Sequence, residues 1–232
     1  MTVASLWKRL VGTEGPRPFA PDAYWERRHS AYRDSHEAVG HIGLSAEANA
    51  AQYATKRDLI LAAIGRTTQA DHGKTLLDAG CGIGLLTRTF VEVGYSVVGA
   101  DFCASAIARA KSHSGAGAFI VSPLSTLALR RHFDVVVVAD VLLHVVDDVE
   151  WRQTLAALTK HLAPNGVLVI LDWFEENTDA LGEHVRPRAV GRYRRALFDL
   201  ECEVLEHTRF TLPHERGTKD LLVAGRRAGI AE

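Results

Sequence analysis

The run Asp78-Ala79-Gly80-Cys81-Gly82-Ile83-Gly84 holds the residues best suited to chemistry on a bound ligand. Its glycines fall at i, i+2 and i+4, and an acid stands two residues ahead of the first. Glycine lets the backbone turn sharply and approach a ligand with no Cβ in the way. A dinucleotide turn would read G-x-G-x-x-G/A, with a small residue where Leu85 stands here. The acid also argues against a pyrophosphate: a helix N-terminus welcomes negative charge, and a neighbouring carboxylate repels it. A locally cationic ligand, such as a sulfonium that also carries an ammonium, suits Asp78. A second acid, Asp101, follows Gly84 by 17 residues and ends the run SVVGAD. An acid at such a strand tip accepts hydrogen bonds from both hydroxyls of a ribose. The plainer alternatives are an ordinary strand-to-helix turn, a nicotinamide or flavin site, and a helix cap for Asp101.

These residues need strands and helices to hold them. TLLDAG, SVVGAD, AFIVS, FDVVVVAD and VLVILDW read as strands, the fourth apolar enough to be buried on both faces. Leu85–Val93, stopped by Gly94, and Ala104–Lys111 read as the helices between the first three. Asp147 and Glu150 start another helix, with Trp151, Leu155, Leu158 and Leu162 as its apolar stripe. Pro164-Asn165-Gly166 reads as a turn, 188–200 as a helix, and Glu203–Thr211 and Leu221–Arg226 as final strands. Ser45 caps a helix over 46–64, with Gly65 just past its end. Residues 1–20 read as a loose lead-in after a short amphipathic turn at Leu6–Leu10, and 22–44 carry no clear period. The alternation implies an α/β fold: a Rossmann-like, doubly wound, mostly parallel sheet whose ligands bind outside the carboxyl ends of its strands.

Composition narrows the classes. With 232 residues the chain is one domain or a domain with an appendage. Its 27 Lys+Arg against 28 Asp+Glu create no whole-molecule field for nucleic acid or an anionic membrane. No apolar run approaches the roughly 18 residues of a membrane span, and no long apolar segment marks a secretory signal. Three cysteines, Cys81, Cys103 and Cys202, fit a reducing cytoplasm better than a disulfide framework. His36 and His41 have no standard metal-ligand spacing, so no metal is expected.

The stretches LLDAGCGIGLLT, VVGADFCASAIARAK, FDVVVVADVLLHVVDD and LAPNGVLVILDW resemble the class I S-adenosylmethionine-dependent methyltransferases of small bacterial type, over about residues 75–173. The resemblance implies seven strands, an N-terminal helical cap over residues 1–70 and a cofactor-binding domain over 71–232. It implies S-adenosyl-L-methionine as cofactor. Asp78, Gly80, Cys81, Gly82 and Gly84 would pass under its methionine part, Asp101 would take the ribose, and Phe102 would lie beside the adenine. Asp140 and Val141 would line the methionine side, with His144 one turn beyond, near the methyl-transfer face. Many relatives carry an acid after the third strand; Val121-Ser122-Pro123-Leu124 has none, so Ser122 or a backbone group must meet the adenine there. AVGHIGLSAEANAAQYATKR resembles a family leader, whose Tyr53 and Arg57 lie one helical turn apart and could both face the site.

The acceptor is less legible. His144 and His184 are the candidates for a general base. The run Arg186, Arg188, Arg192, Arg194, Arg195 is a solvated helix face, an anchor for an acidic acceptor or an RNA contact, the last disfavoured by the neutral overall charge. Trp7, Trp25, Trp173 and Phe174 are core residues or the walls of an aromatic pocket. No N-P-P-Y-type motif follows the fourth strand, which disfavours methylation of a nucleic-acid or protein amine. The expected reaction is in-line methyl transfer to oxygen or nitrogen of a small metabolite. Its rivals are other chemistry on the same cofactor, by cyclisation or aminocarboxypropyl transfer, and a non-catalytic cofactor-binding partner protein.

Overall fold

The computed structural model describes residues 19–32, 35, 38–40, 43–68, 75–113, 117–175, 183–215 and 217–227. Trp7, His36, His41 and the turn expected at Leu6–Leu10 lie outside them. In chain order the elements are α1 (Pro21–Tyr32), α2 (Ala46–Thr67), β1 (Thr75–Ala79), α3 (Leu85–Glu92), β2 (Ser96–Asp101), α4 (Ala104–His113), β3 (Ala118–Val121), β4 (Phe133–Ala139), α5 (Asp148–Lys160), β5 (Leu162–Asp172), α6 (Val190–Asp199), β6 (Cys202–Phe210) and β7 (Lys219–Arg226). Short 3₁₀ turns at Leu124–Thr126 and Leu142–His144 follow β3 and β4.

The seven strands form one sheet, ordered β3-β2-β1-β4-β5-β7-β6. Pairing is parallel from β3 to β5 and antiparallel where β7 meets β5 and β6. The apolar run of β4 is explained by its period of two. Val136 and Val138 face a core with Trp151, Leu155 and Leu158 of α5 and Tyr193 and Leu197 of α6. Val135 and Val137 face the opposite core with Ile60, Ala63 and Ile64 of α2 and Leu86 and Phe90 of α3. Both faces are covered, as a parallel sheet requires. Among the described residues no helix is long and apolar enough to cross a membrane.

Four sequence expectations need correction. Residues 22–32, part of the stretch without a clear period, belong to α1, which opens at Pro21, where the fixed φ suits the first turn and the missing N–H costs nothing. Helix α2 runs through Gly65, which is not left-handed, and stops only where the Thr67 and Thr68 hydroxyls donate to Ala63 O and Ile64 O. Helix α5 ends at Lys160, so Leu162 opens β5 instead of closing the helical stripe. Pro164-Asn165-Gly166 sits inside β5 as an irregularity: the register jumps from Phe133–Leu162 to Val135–Val167. Gly166 is required there, because a Cβ would lie 2.7 Å from Phe133 O.

Candidate functional site

The ends of β1, β2 and β4 open on a cavity of about 520 Å³, roofed by α1. The loop after β1 shapes its floor. Gly80, Gly82 and Gly84 have φ of 78°, 53° and 82°, conformations that L side chains resist. Ala100 O accepts from Gly80 N at 2.7 Å and from Cys81 N at 3.1 Å, which ties the loop to the tip of β2. A Cβ on Gly80 would strike Val141, and one on Gly82 would strike Val39. Asp101 braces the same loop: Oδ2 accepts from Gly82 N and Oδ1 from Cys103 N, both at 2.9 Å.

The structure brings Asp78, Gly80, Cys81, Gly82, Asp101 and Phe102 to the cavity wall, together with Pro123, Leu124, Asp140, Val141, Tyr53 and His144. Four candidates are not in that wall. Gly84 is the N-cap of α3. Ser122 turns its hydroxyl onto Pro123 O at 3.1 Å. Arg57 lies outside, its Nε donating to Asp58 Oδ1 at 2.7 Å. The ring of His184 stacks on Tyr24 at 4.7 Å, and its carbonyl accepts from His144 Nδ1 at 2.8 Å.

The cation that α2 does send to this region is Lys56, whose Nζ is 2.6 Å from Asp140 Oδ2. Lys219 of β7 pairs with Oδ1 of the same carboxylate. The buried stripe Asn49, Gln52, Lys56, Ile60, Ala63 gives the signal, since 3–4 spacing selects Lys56 and leaves Arg57 outside it. Trp25 and His29, one helical turn apart on α1, also line the cavity. Trp173 and Phe174 do not: Phe174 stacks on Tyr193 in the core, with centroids 4.3 Å apart. The arginine run is spent internally in part. Arg186, Arg188 and Arg192 all reach Asp148 at 3.0 Å, which argues against an acceptor anchor.

Burial sets the electrostatics. It pushes the Asp78 carboxyl up to about 6 against the opposing bond from Thr87 Oγ1 at 2.5 Å. It also raises Asp101. Burial opposes ionisation of Asp140 too, but Lys219 and Lys56 hold it well below the usual carboxylate range. Burial lowers His144 to about 4, against the raising effect of the His184 carbonyl bond. That carbonyl can only accept, so Nδ1 carries the proton and Nε2 keeps its lone pair.

The arrangement fits a nucleoside joined to a cationic amino-acid moiety. The bare glycine backbone leaves room for close approach, Asp78 gains when a cation arrives, and the volume lies in the range of cofactor pockets. A family model described as a methyltransferase domain matches residues 46–225. A ubiquinone biosynthesis O-methyltransferase of Mesorhizobium japonicum is 31% identical over 182 residues, covering 67% of this chain and 71% of the relative. The first curated relatives, of the same name, match over 102 residues, and there the chain spans 39% of their length. Among solved structures, magnesium protoporphyrin IX methyltransferase of Synechocystis PCC 6803 with bound S-adenosylmethionine superposes with a TM-score of 0.68 at 16% identity, covering 91% of this chain and 100% of that one. The 1,6-didemethyltoxoflavin-N1-methyltransferase of Burkholderia thailandensis, with acceptor and S-adenosylhomocysteine bound, gives 0.66 at 21% identity over 93% and 94%.

Proposed function

The chain belongs to the class I S-adenosylmethionine-dependent methyltransferases, and from that premise we propose that it methylates an oxygen or nitrogen of a small metabolite. The observation that carries this reading is the meeting of a left-handed glycine loop with two buried carboxylates, Asp78 and Asp101, on one cavity. The names of the curated relatives favour oxygen. When bound, the cofactor supplies an activated methyl group on a sulfonium.

The protein supplies position, dryness and a proton acceptor. Asp78 and the glycine loop hold the methionine part, Asp101 the ribose diol, and Phe102 with Pro123, Leu124 and the Ser122 backbone the adenine. Asp140 and Val141 bound the methionine side, with Tyr53 above them. Of the helical cap expected over residues 1–70, α1 does the capping through Trp25 and His29, while α2 packs into the core. His144 lines the cavity, and its Nε2 takes the acceptor's proton as the nucleophile attacks. His184 serves through its carbonyl, which fixes the His144 tautomer. The setting is cytoplasmic, supported by three free, buried thiols.

The test is calorimetric titration with S-adenosylmethionine, S-adenosylhomocysteine and NAD. Micromolar binding of the first two, none of the third, and loss in Asp101→Ala are expected. A folded protein that binds neither sulfur compound sinks the reading. Product analysis then separates chemistries: methyl transfer leaves S-adenosylhomocysteine, whereas cyclisation or aminocarboxypropyl transfer leaves methylthioadenosine.

A further inference from the structure

Helices α5 and α6 line a second cavity, of about 480 Å³, which shares no lining residue with the first. Arg152 of α5 lines it, as do Arg192 and Arg195 of α6, which lie one helical turn apart. All three arginines are exposed, so a ligand can reach them. The half-buried Ala196 and Leu200 give the cavity an apolar part, with Trp151 buried behind it. Gly191 adds no side chain, and a Cβ there would meet nothing within 4 Å, so the cavity has room on that side.

These cations are not neutralised by the fold. Arg192 has Asp148 at 3.0 Å, but Arg186 and Arg188 draw on the same carboxylate. Among the described residues, neither Arg152 nor Arg195 has an ion pair or a side-chain hydrogen bond. Asp199 also lines the cavity and pairs with none of the three. The result is a local positive potential on a chain that is nearly neutral as a whole.

The chemistry of the lining limits the ligand. A guanidinium is a planar fork that matches the oxygens of a phosphate or a carboxylate. A phosphate monoester carries roughly two negative charges at neutral pH and three acceptor oxygens, enough for three forks. A carboxylate has one charge and two oxygens. The apolar part calls for a non-polar body on the same ligand, and the volume lies in the range of small-molecule sites. A nucleic-acid strand needs an extended basic surface, and 27 basic against 28 acidic residues create no field for one.

We propose that the cavity between α5 and α6 binds a small phosphate monoester with an apolar body. Arg152, Arg192 and Arg195 take the phosphate, and Ala196 and Leu200 take the body. The site is independent of the cofactor reading, because the two cavities have no residue in common.

The test is titration of the full chain with 1-naphthyl phosphate and, separately, with 1-naphthol, followed through the arginine Nε–H NMR signals. Naphthyl phosphate should shift the signals of Arg152, Arg192 and Arg195. Naphthol should bind at least tenfold more weakly, since it forms no charge-assisted bonds. Arg152→Gln and Arg195→Gln should each weaken naphthyl phosphate at least about threefold, the upper range for a half-exposed ion pair. Arg194→Gln removes the same charge from α6 outside the cavity lining, and it should leave the affinity within twofold. A melting temperature near wild type shows that each variant is folded. Equal weakening by Arg194→Gln and Arg195→Gln would mean diffuse attraction to a basic helix and overturns the proposal. Naphthol binding as tightly as its phosphate also overturns it. So does a wild-type spectrum in which the three signals stay still, a result that needs no variant.

Discussion

Buried carboxyls and buried imidazoles share the cavity and its supports, and they respond to pH in opposite senses. Burial raises Asp78 to about 6, and burial with nearby Asp140 raises Asp172 to about 7. Each contributes stability that is full below about pH 4 and lost as pH rises to its folded value. Burial lowers His29 and His144 to about 4, so their contribution is full above about pH 6.5 and lost as pH falls. The opposing slopes flatten the pH dependence of the empty protein between about 4 and 7. Substituting Asp172→Asn should unbalance it, so that the melting temperature of the variant gains on wild type between pH 5 and pH 8. A constant difference would mean that Asp172 ionises normally. A cation beside Asp78 must also drive off its proton. S-adenosylmethionine binding near pH 6 should therefore release protons, seen as a heat that changes with buffer ionisation enthalpy. Asp78→Asn should abolish that release and weaken binding by roughly tenfold or more, the worth of a charge-assisted hydrogen bond. Asp78 was legible in the sequence because the left-handed glycines that follow it constrain the backbone locally, and Asp101 because it ends an apolar strand. Lys56 was not chosen over Arg57, because which helix face is buried is decided by the sheet beneath it.

The turn after β4 shows how neighbouring elements hold one functional side chain. His144 sits in a short 3₁₀ turn with little stability of its own. Arg188 reaches under it, donating to Leu142 O at 3.3 Å and Val145 O at 2.9 Å. Its Nε meets Asp148 Oδ1 at 3.0 Å, and its guanidinium lies 4.8 Å from the Trp151 ring centroid. Arg186 N donates to Leu143 O at 2.7 Å, and Asp172 Oδ2 accepts from Leu143 N at 3.0 Å. Arg188→Met would leave buried carbonyls unpaired, at about 1–3 kcal/mol each. A melting temperature lower by roughly 5–10 °C is expected from that loss. If Arg188 positions His144, the turnover rate falls at least tenfold while S-adenosylhomocysteine affinity stays near wild type, and Arg188→Lys restores part of the rate. Affinity and rate falling together would mark a merely structural role. The arginine run was visible in the sequence, but its inward turn was not, since Asp148 lies some 40 residues away. Element boundaries failed for a similar reason. Gly65 and Pro164-Asn165-Gly166 carry local stop signals, but continuation of the pairing or of the helix outweighs them.

At the scale of the whole molecule, the two described helices before β1 do different work. Helix α2 belongs to the core: Ile60, Ala63 and Ile64 pack with Leu76, Val135, Val169 and Val223 on one face of the sheet. Lys56 of the same helix and Lys219 share the half-buried Asp140 carboxylate, joining α2 to both β4 and β7. Removing α2 would strip one sheet face of its cover and leave Asp140 with one partner where it had two. Each large apolar side chain lost from such a face is worth about 2–5 kcal/mol, against a total stability of about 5–15 kcal/mol. A chain starting at residue 71 should therefore fail to unfold cooperatively. Helix α1 is attached more lightly, through the Glu26–Cys103 bond, Tyr32 against the small cluster of Ala38, Ile83, Cys103 and Ala106, and the ring contacts Tyr24–His184 and Trp25–His144. A chain starting at Leu44 keeps the sheet, both covered faces and the Lys56–Asp140 pair, so it should give a sharp circular-dichroism melt. It loses Trp25 and His29 from the cavity wall, so S-adenosylhomocysteine should bind at least tenfold more weakly. Cooperative melting of both truncations would make α2 dispensable. Cooperative melting of neither would make α1 part of the core that this packing assigns to α2 alone.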